Sequence, residues 1–356
     1  MTVTAGGQDV CEQALPPCRA QPTSVAIRGH GIAAHCCARL LVDQGIAVQV
    51  DAGQRPRIPA LLLSDPALAL LRDVTGRPAL LAGEKRVARR IVCWGGEDPV
   101  VLPHEATIIS EAALHKALGP IAATPPAAPP DFTIHATVPF PSGEPRYFGR
   151  RRAAAAQVGL RNAEDDSACW IEAVDTGWLF LVPAAPGSGW LLAIGGTPAG
   201  LLAQSRHLGH RVTVEEAGTG TFDAVPRLLE RLQGPDWLAC GTAAIGFDPI
   251  CGDGTAQAVR EAILAAAVIA GMAEAGESES AELRLHYESM LIAGMRRHLR
   301  LCAQFYQSGG QSDWWRRQTA SLVDGFDWCS ARLARRPEPA YRLEGFRLVR
   351  QERVAA

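Results

Sequence analysis

The stretch that decides the fold is residues 24–51, which read SVAIRGHGIAAHCCARLLVDQGIAVQVD. A short apolar run is followed by a glycine turn, an amphipathic stretch that ends at Gly45, and a second apolar run that ends at Asp51. Apolar runs bounded by turn residues predict strands, and apolar residues spaced three and four apart predict a helix. The stretch therefore predicts a βαβ unit.

The glycine turn within this unit has the pattern of a dinucleotide-binding site. Gly29 and Gly31, on either side of His30, occupy the first two places of the G-x-G-x-x-G/A fingerprint, and Ala34 occupies the third. The glycines give a tight turn and let backbone approach a pyrophosphate, and a small third residue lets helix and strand pack closely. Asp51 stands near the place of the acid that binds the ribose hydroxyls, one residue early. These residues alone leave FAD and NAD(P) both open.

A second glycine-rich stretch, GTAAIGFDPICGDGTAQAV, covers residues 241–259 and leads into a helical pattern. Its small residues surround Asp248, Pro249 and the segment Gly252, Asp253 and Gly254. Glycine lets backbone approach a ligand closely, so the stretch predicts backbone contact with something large and flat. The alternative is a small-residue helix that packs tightly on a sheet.

Three segments in this order resemble the FAD-dependent aromatic hydroxylase superfamily, which includes the flavin-dependent halogenases: VAIRGHGIAAHCCARLL (25–41), DFTIHAT (131–137) and the stretch 241–259. The resemblance implies FAD as cofactor, with its pyrophosphate at the first segment. Asp248 and Pro249 would lie beside the flavin, and the backbone of 252–254 would face the polar edge of its ring. Family members usually carry an aspartate that holds the ribityl hydroxyls where this chain has Thr242.

The segment GWLFLVP (177–183) suggests a substrate site. Its Trp178, Phe180 and Pro183 resemble the W-x-W-x-I-P pattern of flavin-dependent tryptophan halogenases, which lies near the tunnel between flavin and substrate. A buried aromatic strand is the alternative. Lys85 falls roughly where halogenases carry the lysine that handles hypohalous acid, although a solvated basic surface explains it better, since three arginines lie close to it in the sequence. Lys85 is the one candidate catalytic residue.

Overall, the chain is most similar to the smaller halogenase-like flavoproteins that mature quinone cofactors by hydroxylating a tryptophan in a partner amine dehydrogenase or amino-acid oxidase. The function this implies is FAD-dependent hydroxylation of an electron-rich aromatic substrate. Two alternatives stay open: a halogenase served by a separate flavin reductase, and a degenerate flavin-fold protein without catalysis. Thr242 and the early Asp51 keep the last alternative open.

The expected fold is α/β: a Rossmann-like FAD-binding βαβ lobe, a mostly antiparallel substrate sheet and a helical C-terminal region. Prolines over 119–131 predict an extended connector. We expect a loose leader over 1–20, the FAD lobe over 21–120 and again over 236–280, the substrate lobe over 121–235, and a helical cap over 281–356.

Composition narrows the class of protein. A chain of 356 residues with 47% hydrophobic residues can bury a large core. A net charge of −2, with both signs interspersed, gives no basic surface for nucleic acid or anionic lipid. The N-terminus lacks the pattern of a signal peptide, and no membrane span is expected, so we predict a cytoplasmic protein. The ten cysteines form no C-x-x-C pair, and we expect reduced thiols and no metal site.

Overall fold

The computed structural model of the chain describes residues 22–53, 57–121 and 128–351. The predicted leader over 1–20 lies outside the described residues, as do residues 122–127 of the predicted connector. The strands, in chain order, are β1 (Ser24–Arg28), β2 (Ala47–Asp51), β3 (Leu61–Ser64), β4 (Arg86–Cys93), β5 (Val100–Ile109), β6 (Phe132–His135), β7 (Pro145–Tyr147), β8 (Arg152–Leu160), β9 (Ala168–Val174), β10 (Gly177–Ala185), β11 (Ser188–Ile194), β12 (Val212–Asp223), β13 (Arg227–Leu229), β14 (Trp237–Ala239), β15 (Ile245–Gly246), β16 (Tyr341–Glu344) and β17 (Arg347–Arg350).

The helices in the same part of the chain are α1 (Ile32–Asp43), α2 (Asp65–Thr75), α3 (Glu111–Leu118), α4 (Pro198–Leu202), α5 (Gly254–Glu274), α6 (Glu277–Gly309) and α7 (Asp313–Leu333). The expected mixed α/β fold is confirmed. Two of the helix starts are capped by serine, since Ser64 Oγ accepts from Ala67 N–H and Ser110 Oγ from Ala113 N–H.

The βαβ unit predicted over residues 24–51 is present in the structure. β1 pairs in parallel with β2 in the register Val25 to Val48, and α1 connects the two strands. β6 and β14 extend this parallel sheet in the order β14-β6-β1-β2. The carboxyl ends of β1 and β6 therefore lie at one edge of the sheet, where ligands bind in open α/β sheets.

A second sheet of eight strands has the order β12-β8-β11-β10-β9-β4-β5-β3. All its neighbours are antiparallel except β4 and β9, which run parallel. The expected mostly antiparallel sheet is therefore present, but its strands come from both sides of the proposed boundary at 121. β3 to β5 belong to this sheet, whereas β6 joins the parallel sheet. Alternation of apolar and polar residues identifies a strand but not its partner, which is why the sequence misassigned these strands.

The C-terminal region is not helical throughout. β16 and β17 form an antiparallel hairpin whose turn places Gly345 at φ +58°. Positive φ is readily adopted by glycine, which has no Cβ. The prediction of a helical cap over 281–356 is therefore wrong for this hairpin, whereas α6 and α7 confirm the helices before it.

The interior is organised around α5, whose alanine-rich sequence lets neighbouring helices approach closely. α5 packs against α1, α2 and α6, and the residues Ala262–Ile269 are all buried. In the part of the chain that the structure describes, α5 is the one helix long and apolar enough to cross a membrane, and 67% of that window is buried inside the protein. Such burial is typical of a core helix.

Candidate functional site

The glycine turn lies at the carboxyl end of β1 and leads directly into α1. Gly29 has φ +133°, and its N–H donates to the carbonyl of Asp51 at 2.7 Å. A Cβ at Gly29 would lie 3.3 Å from side-chain atoms of Ala136 and Thr137. Conformation and space both favour glycine there. Gly31 is the N-cap residue of α1, so the positive end of the α1 dipole begins at the turn.

A cavity of 450 Å³ adjoins this turn, and its wall includes Gly29, His30, Ala34 and His35. The His30 ring is half-buried, and its Nδ1–H donates to the carbonyl of Ala52 at 2.5 Å. The side chain thus ties the turn to the residues after β2. Burial first, then the neighbouring His115 and Arg39, lower the pKa of His35 to about 4.

Asp51, the proposed ribose ligand, is exposed at the end of β2. Its carboxylate does not belong to the wall of the 450 Å³ cavity, although Val48, Gln49 and Val50 of the same strand do. The ribose role of Asp51 remains a prediction.

A larger cavity of 830 Å³ lies where α5 begins. The segment Gly252, Asp253 and Gly254 forms one wall of this large cavity, and Arg90 and His104 from β4 and β5 form another. Phe247, Leu301 and Phe305 supply apolar surface. The structure therefore brings the second glycine-rich stretch to a cavity, as the sequence predicts.

The backbone of residues 252–254 lines the large cavity. Gly252 is left-handed at φ +62°, and a Cβ there would lie 3.1 Å from Nη2 of Arg90. Among the described residues outside its own helix and its chain neighbours, no atom lies within 4 Å of the position that a Cβ at Gly254 would take. Asp253 is the N-cap of α5, but its side chain makes no capping bond and pairs with Arg260 at 2.8 Å. The first N–H groups of α5 are therefore not capped by that side chain.

Arg90 is the cation in the wall of the large cavity that lies beside this open backbone. Its Nη2 donates to Nε2 of His104 at 3.0 Å, and its Nε is buried without a hydrogen-bond partner among the described residues. Burial lowers the pKa of Arg90 and, together with the guanidinium charge, that of His104. His104 is thus a neutral acceptor, and the guanidinium of Arg90 keeps its charge near the start of α5, on a wall that also holds Arg297 and the paired Arg260.

Asp248 is the centre of a buried polar network. Its Oδ2 accepts from Nη2 of Arg151 at 2.9 Å and from the hydroxyl of Tyr306 at 2.9 Å. Its Oδ1 accepts from the N–H of Ile250 at 3.0 Å. The side chains of Arg151 and Asp248 are both fully buried. Asp248, itself part of the wall, therefore fixes the turn that leads to Gly252, and Pro249 is the first residue of that turn.

Thr242 lies apart from the wall of the large cavity, in a short turn after β14. Its hydroxyl donates to the carbonyl of Ala136 at 3.2 Å, and its own carbonyl accepts from Nη2 of Arg227 at 2.6 Å. The hydroxyl of Thr242 is thus already engaged as a donor, and only its lone pairs are open to a ligand. The turn joins the ends of β6 and β14, which are neighbours in the parallel sheet.

Glu261 of α5 reaches the same turn from within the core. Its Oε2 accepts from the N–H of Gly241 at 2.9 Å. Complete burial raises the pKa of Glu261 to about 8. The hydrogen bonds from Gly241 and Gln257 and the charge of Arg227 act in the opposite direction. The buried carboxyl is therefore mostly protonated at neutral pH.

The proposed substrate residues lie on the central strand β10 and not in the wall of the large cavity. Trp178 is fully buried, and its indole N–H donates to the hydroxyl of Tyr306 at 3.0 Å. Phe180 and Pro183 are also buried. Trp178 reaches the cavity wall only indirectly, through Tyr306 and Asp248.

Lys85 lies just before β4 and also outside the wall of the large cavity. Its side chain is 26% exposed, and Nζ lies 3.9 Å from Oδ1 of Asp166. Nζ itself is buried and has no hydrogen-bond partner among the described residues. The catalytic role of Lys85 stays a prediction, whereas the burial of Nζ contradicts the alternative of a solvated basic surface.

Sequence reasoning missed four side chains around the large cavity: Arg90, Arg151, His298 and Cys302. Arg90 and Arg151 are two arginines among many, and no spacing separates them from surface positions. His298 and Cys302 are four residues apart on α6, but their partner Cys251 comes from a distant segment. A contact between two such segments leaves no local signal in one sequence.

Comparison with known proteins gives a match at the level of structure. No family model and no curated protein sequence matches the chain. The solved structure of QhpG, a peptidyl tryptophan dihydroxylase essential for tryptophylquinone cofactor biogenesis, has a TM-score of 0.68 and 20% identity, over 84% of this chain and 78% of its own. The flavin-dependent halogenase CmlS has a TM-score of 0.70 and 16% identity, over 91% and 74%.

A variant of HpxO from Klebsiella pneumoniae, solved in complex with FAD, has a TM-score of 0.57 and 13% identity, over 88% of this chain and 93% of its own. At such identities the likeness is one of fold. The chain has the fold of the FAD-dependent hydroxylases and halogenases, and the resemblance drawn from its three motifs is confirmed to that extent.

Proposed function

We propose that this chain is an FAD-dependent monooxygenase that hydroxylates an electron-rich aromatic substrate. The observation that carries the proposal is the placement of Arg90 and the open backbone of 252–254 on one cavity at the start of α5. The residues fit a flavin ring, because buried Nε of Arg90 lacks a partner among the described residues and Gly254 leaves space for a flat group.

At the other end of the cofactor, the turn at Gly29 and Gly31 would hold the pyrophosphate. The N–H groups at the start of α1 and the helix dipole favour two adjacent phosphates there. The His30 ring fixes the turn through Ala52, which preorganises the backbone for the ligand. Asp51 remains the candidate for the ribose hydroxyls at the end of β2.

Bound FAD, once reduced, would supply the chemistry of oxygen activation. The chain's own contribution is electrostatic: Arg90 and the positive end of α5 favour negative charge on the polar edge of the ring. The buried pair of Asp248 with Arg151 holds this wall rigid. Apolar Phe247 and Ile250 help to exclude water from the reacting face.

We further propose that the substrate is a tryptophan side chain of a partner protein. Phe247 and Phe305 give the large cavity aromatic surface suited to an indole. At the open side of the cavity, the wall residues Leu301 and Phe305 of α6 are 40% and 46% exposed. Leu102 of β5, which pairs with Arg90, is 44% exposed. An open apolar rim of this kind suits a protein surface better than a small diffusing substrate. The likeness to a peptidyl tryptophan dihydroxylase agrees with this substrate.

Halogenation, with reduced flavin from a separate reductase, is the second candidate, and the TM-score of 0.70 with CmlS favours it. A halogenase needs a lysine at its tunnel. Lys85 would have to leave Asp166 to serve there, because it does not belong to the wall of the large cavity.

Two measurements test these proposals in order. The purified chain, with FAD added and the excess removed, is expected to keep the visible flavin absorption, and failure to retain any would overturn the FAD proposal and support a degenerate fold. The FAD-loaded protein is then given an electron source, oxygen, and either free tryptophan or tryptophan-containing peptides, with and without bromide. A product heavier by one oxygen atom supports hydroxylation, whereas a bromide-dependent product supports halogenation.

A further inference from the structure

A cluster of two cysteines and one histidine lies at the wall of the large cavity. The sulfur atoms of Cys251 and Cys302 are 3.7 Å apart, and the sulfur of Cys302 lies 3.3 Å from Nε2 of His298. Cys251 and His298 belong to the cavity wall, whereas Cys302 is fully buried behind them. The Cys251 thiol is thus accessible from the cavity, and the buried Cys302 thiol lies next to it.

The backbone fixes the tautomer of His298. The N–H of Asp248 donates to Nε2 at 2.9 Å, so Nε2 carries a lone pair and the ring proton of the neutral form is on Nδ1. Nε2 is therefore an acceptor that lies 3.3 Å from the sulfur of Cys302, whereas the protonated Nδ1 lies 3.9 Å from that sulfur. This arrangement suits a protonated thiol at Cys302, whose S–H can donate to Nε2.

The two thiols have opposite acid strengths. The hydrogen bond from Cys302, followed by that from His298, lowers the pKa of Cys251 to about 6 against the desolvation that would raise it. Burial holds the pKa of Cys302 well above its usual range. Of the other charges around Cys251, the Asp248 carboxylate acts to raise its pKa, and the Arg90 guanidinium faces it from β4. These opposite directions favour the thiolate at Cys251 and the neutral thiol at Cys302.

The pair can close into a disulfide with a small movement. An S–S bond of about 2.0 Å requires the sulfur atoms to approach by about 1.7 Å. Cys251 ends the short turn Pro249–Cys251 and is followed by Gly252. The glycine that follows Cys251 gives this end of the turn the conformational freedom for such an approach.

We propose that Cys251 and Cys302 are a redox-active thiol pair that reduces hydrogen peroxide at the wall of the large cavity, with His298 as positioning residue. The Cys251 sulfur attacks one oxygen of hydrogen peroxide, the O–O bond breaks, and the departing hydroxide takes a proton to become water. The sulfur of Cys302 then attacks the resulting sulfenic acid, the S–O bond breaks, and the second oxygen leaves as water with the proton of Cys302. Two thiols are oxidised to a disulfide while one hydrogen peroxide is reduced to two waters.

This activity stands independently of FAD, because the peroxide is an external reactant. A soft metal ion is the competing use of the same cluster, since the three groups offer ligand atoms within 4.8 Å of one another. A metal would have to displace the N–H of Asp248 from His298 or remove the proton on Nδ1. The tautomer therefore favours the thiol pair.

The test uses the full-length protein, freshly reduced and freed of reductant, and treated with one equivalent of hydrogen peroxide. Peptide mapping is expected to find a crosslink between Cys251 and Cys302 that dithiothreitol reverses. In Cys302→Ser the reaction should stop at a sulfenic acid on Cys251, which dimedone traps. The matched control Cys329→Ser, which removes another buried thiol, should crosslink as the unaltered chain does.

A second readout needs no cysteine variant. Alkylation of Cys251 by iodoacetamide in the unaltered chain should follow a titration near pH 6, and His298→Asn should move that titration to higher pH. Three results would each overturn the proposal. In the first, Cys251 reacts with iodoacetamide only after the protein is unfolded, and in the second, peroxide treatment gives no crosslink. The third such result is one equivalent of zinc bound to the purified protein.

Discussion

Nη2 of Arg151 donates to Oδ2 of Asp248 across 2.9 Å, and neither side chain has contact with solvent. Asp248 is therefore the anchor by which the segment before α5 is fixed to the residue that precedes β8. Arg151 also stacks on the ring of Tyr306 at 4.6 Å and donates to Gln318 of α7 at 3.1 Å. The pair thus joins the cavity wall to both C-terminal helices.

Removal of one partner of this pair should destabilise the whole protein. Arg151→Met leaves the carboxylate of Asp248 buried without its cation, and we expect a loss of about 3–5 kcal/mol of unfolding free energy. The neighbouring Arg152→Met is the matched control, because Arg152 is exposed and bonds one carbonyl, that of Thr221. Urea unfolding followed by circular dichroism measures both. Equal midpoints for the two variants would contradict the anchoring role.

The charge of Arg90 should tune the proposed flavin. Arg90→Met removes the cation beside residues 252–254 and disfavours negative charge on a reduced ring. A lost hydrogen bond to a charged group is worth about 1.5–3 kcal/mol, which lowers a two-electron potential by about 30–60 mV. Arg89→Met is the control, because Arg89 bonds the carbonyl of Glu164 and does not line the large cavity. Spectroelectrochemical titration of the FAD-loaded variants measures the shift, and an unchanged potential in Arg90→Met would place the ring elsewhere.

Thr242 offers a gain-of-function test. Thr242→Asp introduces the carboxylate that family members carry. Arg227 can pair with this carboxylate, because it already contacts residue 242 and its buried Nη1 lacks a hydrogen-bond partner among the described residues. A charge-assisted bond to the ribityl hydroxyls should tighten FAD binding about tenfold. Thr242→Asn is the isosteric control without charge. Fluorescence quenching of FAD gives both affinities, and weaker binding in Thr242→Asp than in Thr242→Asn would show that the carboxylate does not meet the cofactor.

The sequence predicts this fold well wherever the signal is local. The turn at Gly29 and Gly31 and the segment before α5 need residues without a Cβ, so their glycines are visible directly in the sequence. Arg151 and Asp248, or Cys251 and Cys302, meet through contacts between segments 97 and 51 residues apart. No periodicity encodes such meetings. For the same reason the strand pattern alone does not assign β6 to a sheet: its residues specify a strand, whereas its pairing with β1 depends on the rest of the chain.

The last prediction concerns the protonation of Glu261 and the pH dependence of stability. The folded chain holds the pKa of this buried carboxyl at about 8, above the usual 4.5. Between these two values the folded state binds more protons than the unfolded state, so stability falls as pH rises, by at most about 1.4 kcal/mol per pH unit. Glu261→Gln keeps an oxygen for the N–H of Gly241 and does not ionise. Its melting temperature should therefore exceed that of the unaltered chain by a margin that grows from pH 5 to pH 8. Glu274→Gln, an exposed change on the same helix, should give a margin that does not vary with pH, and the same flat result for Glu261→Gln would mean that the carboxyl is already ionised in the folded protein.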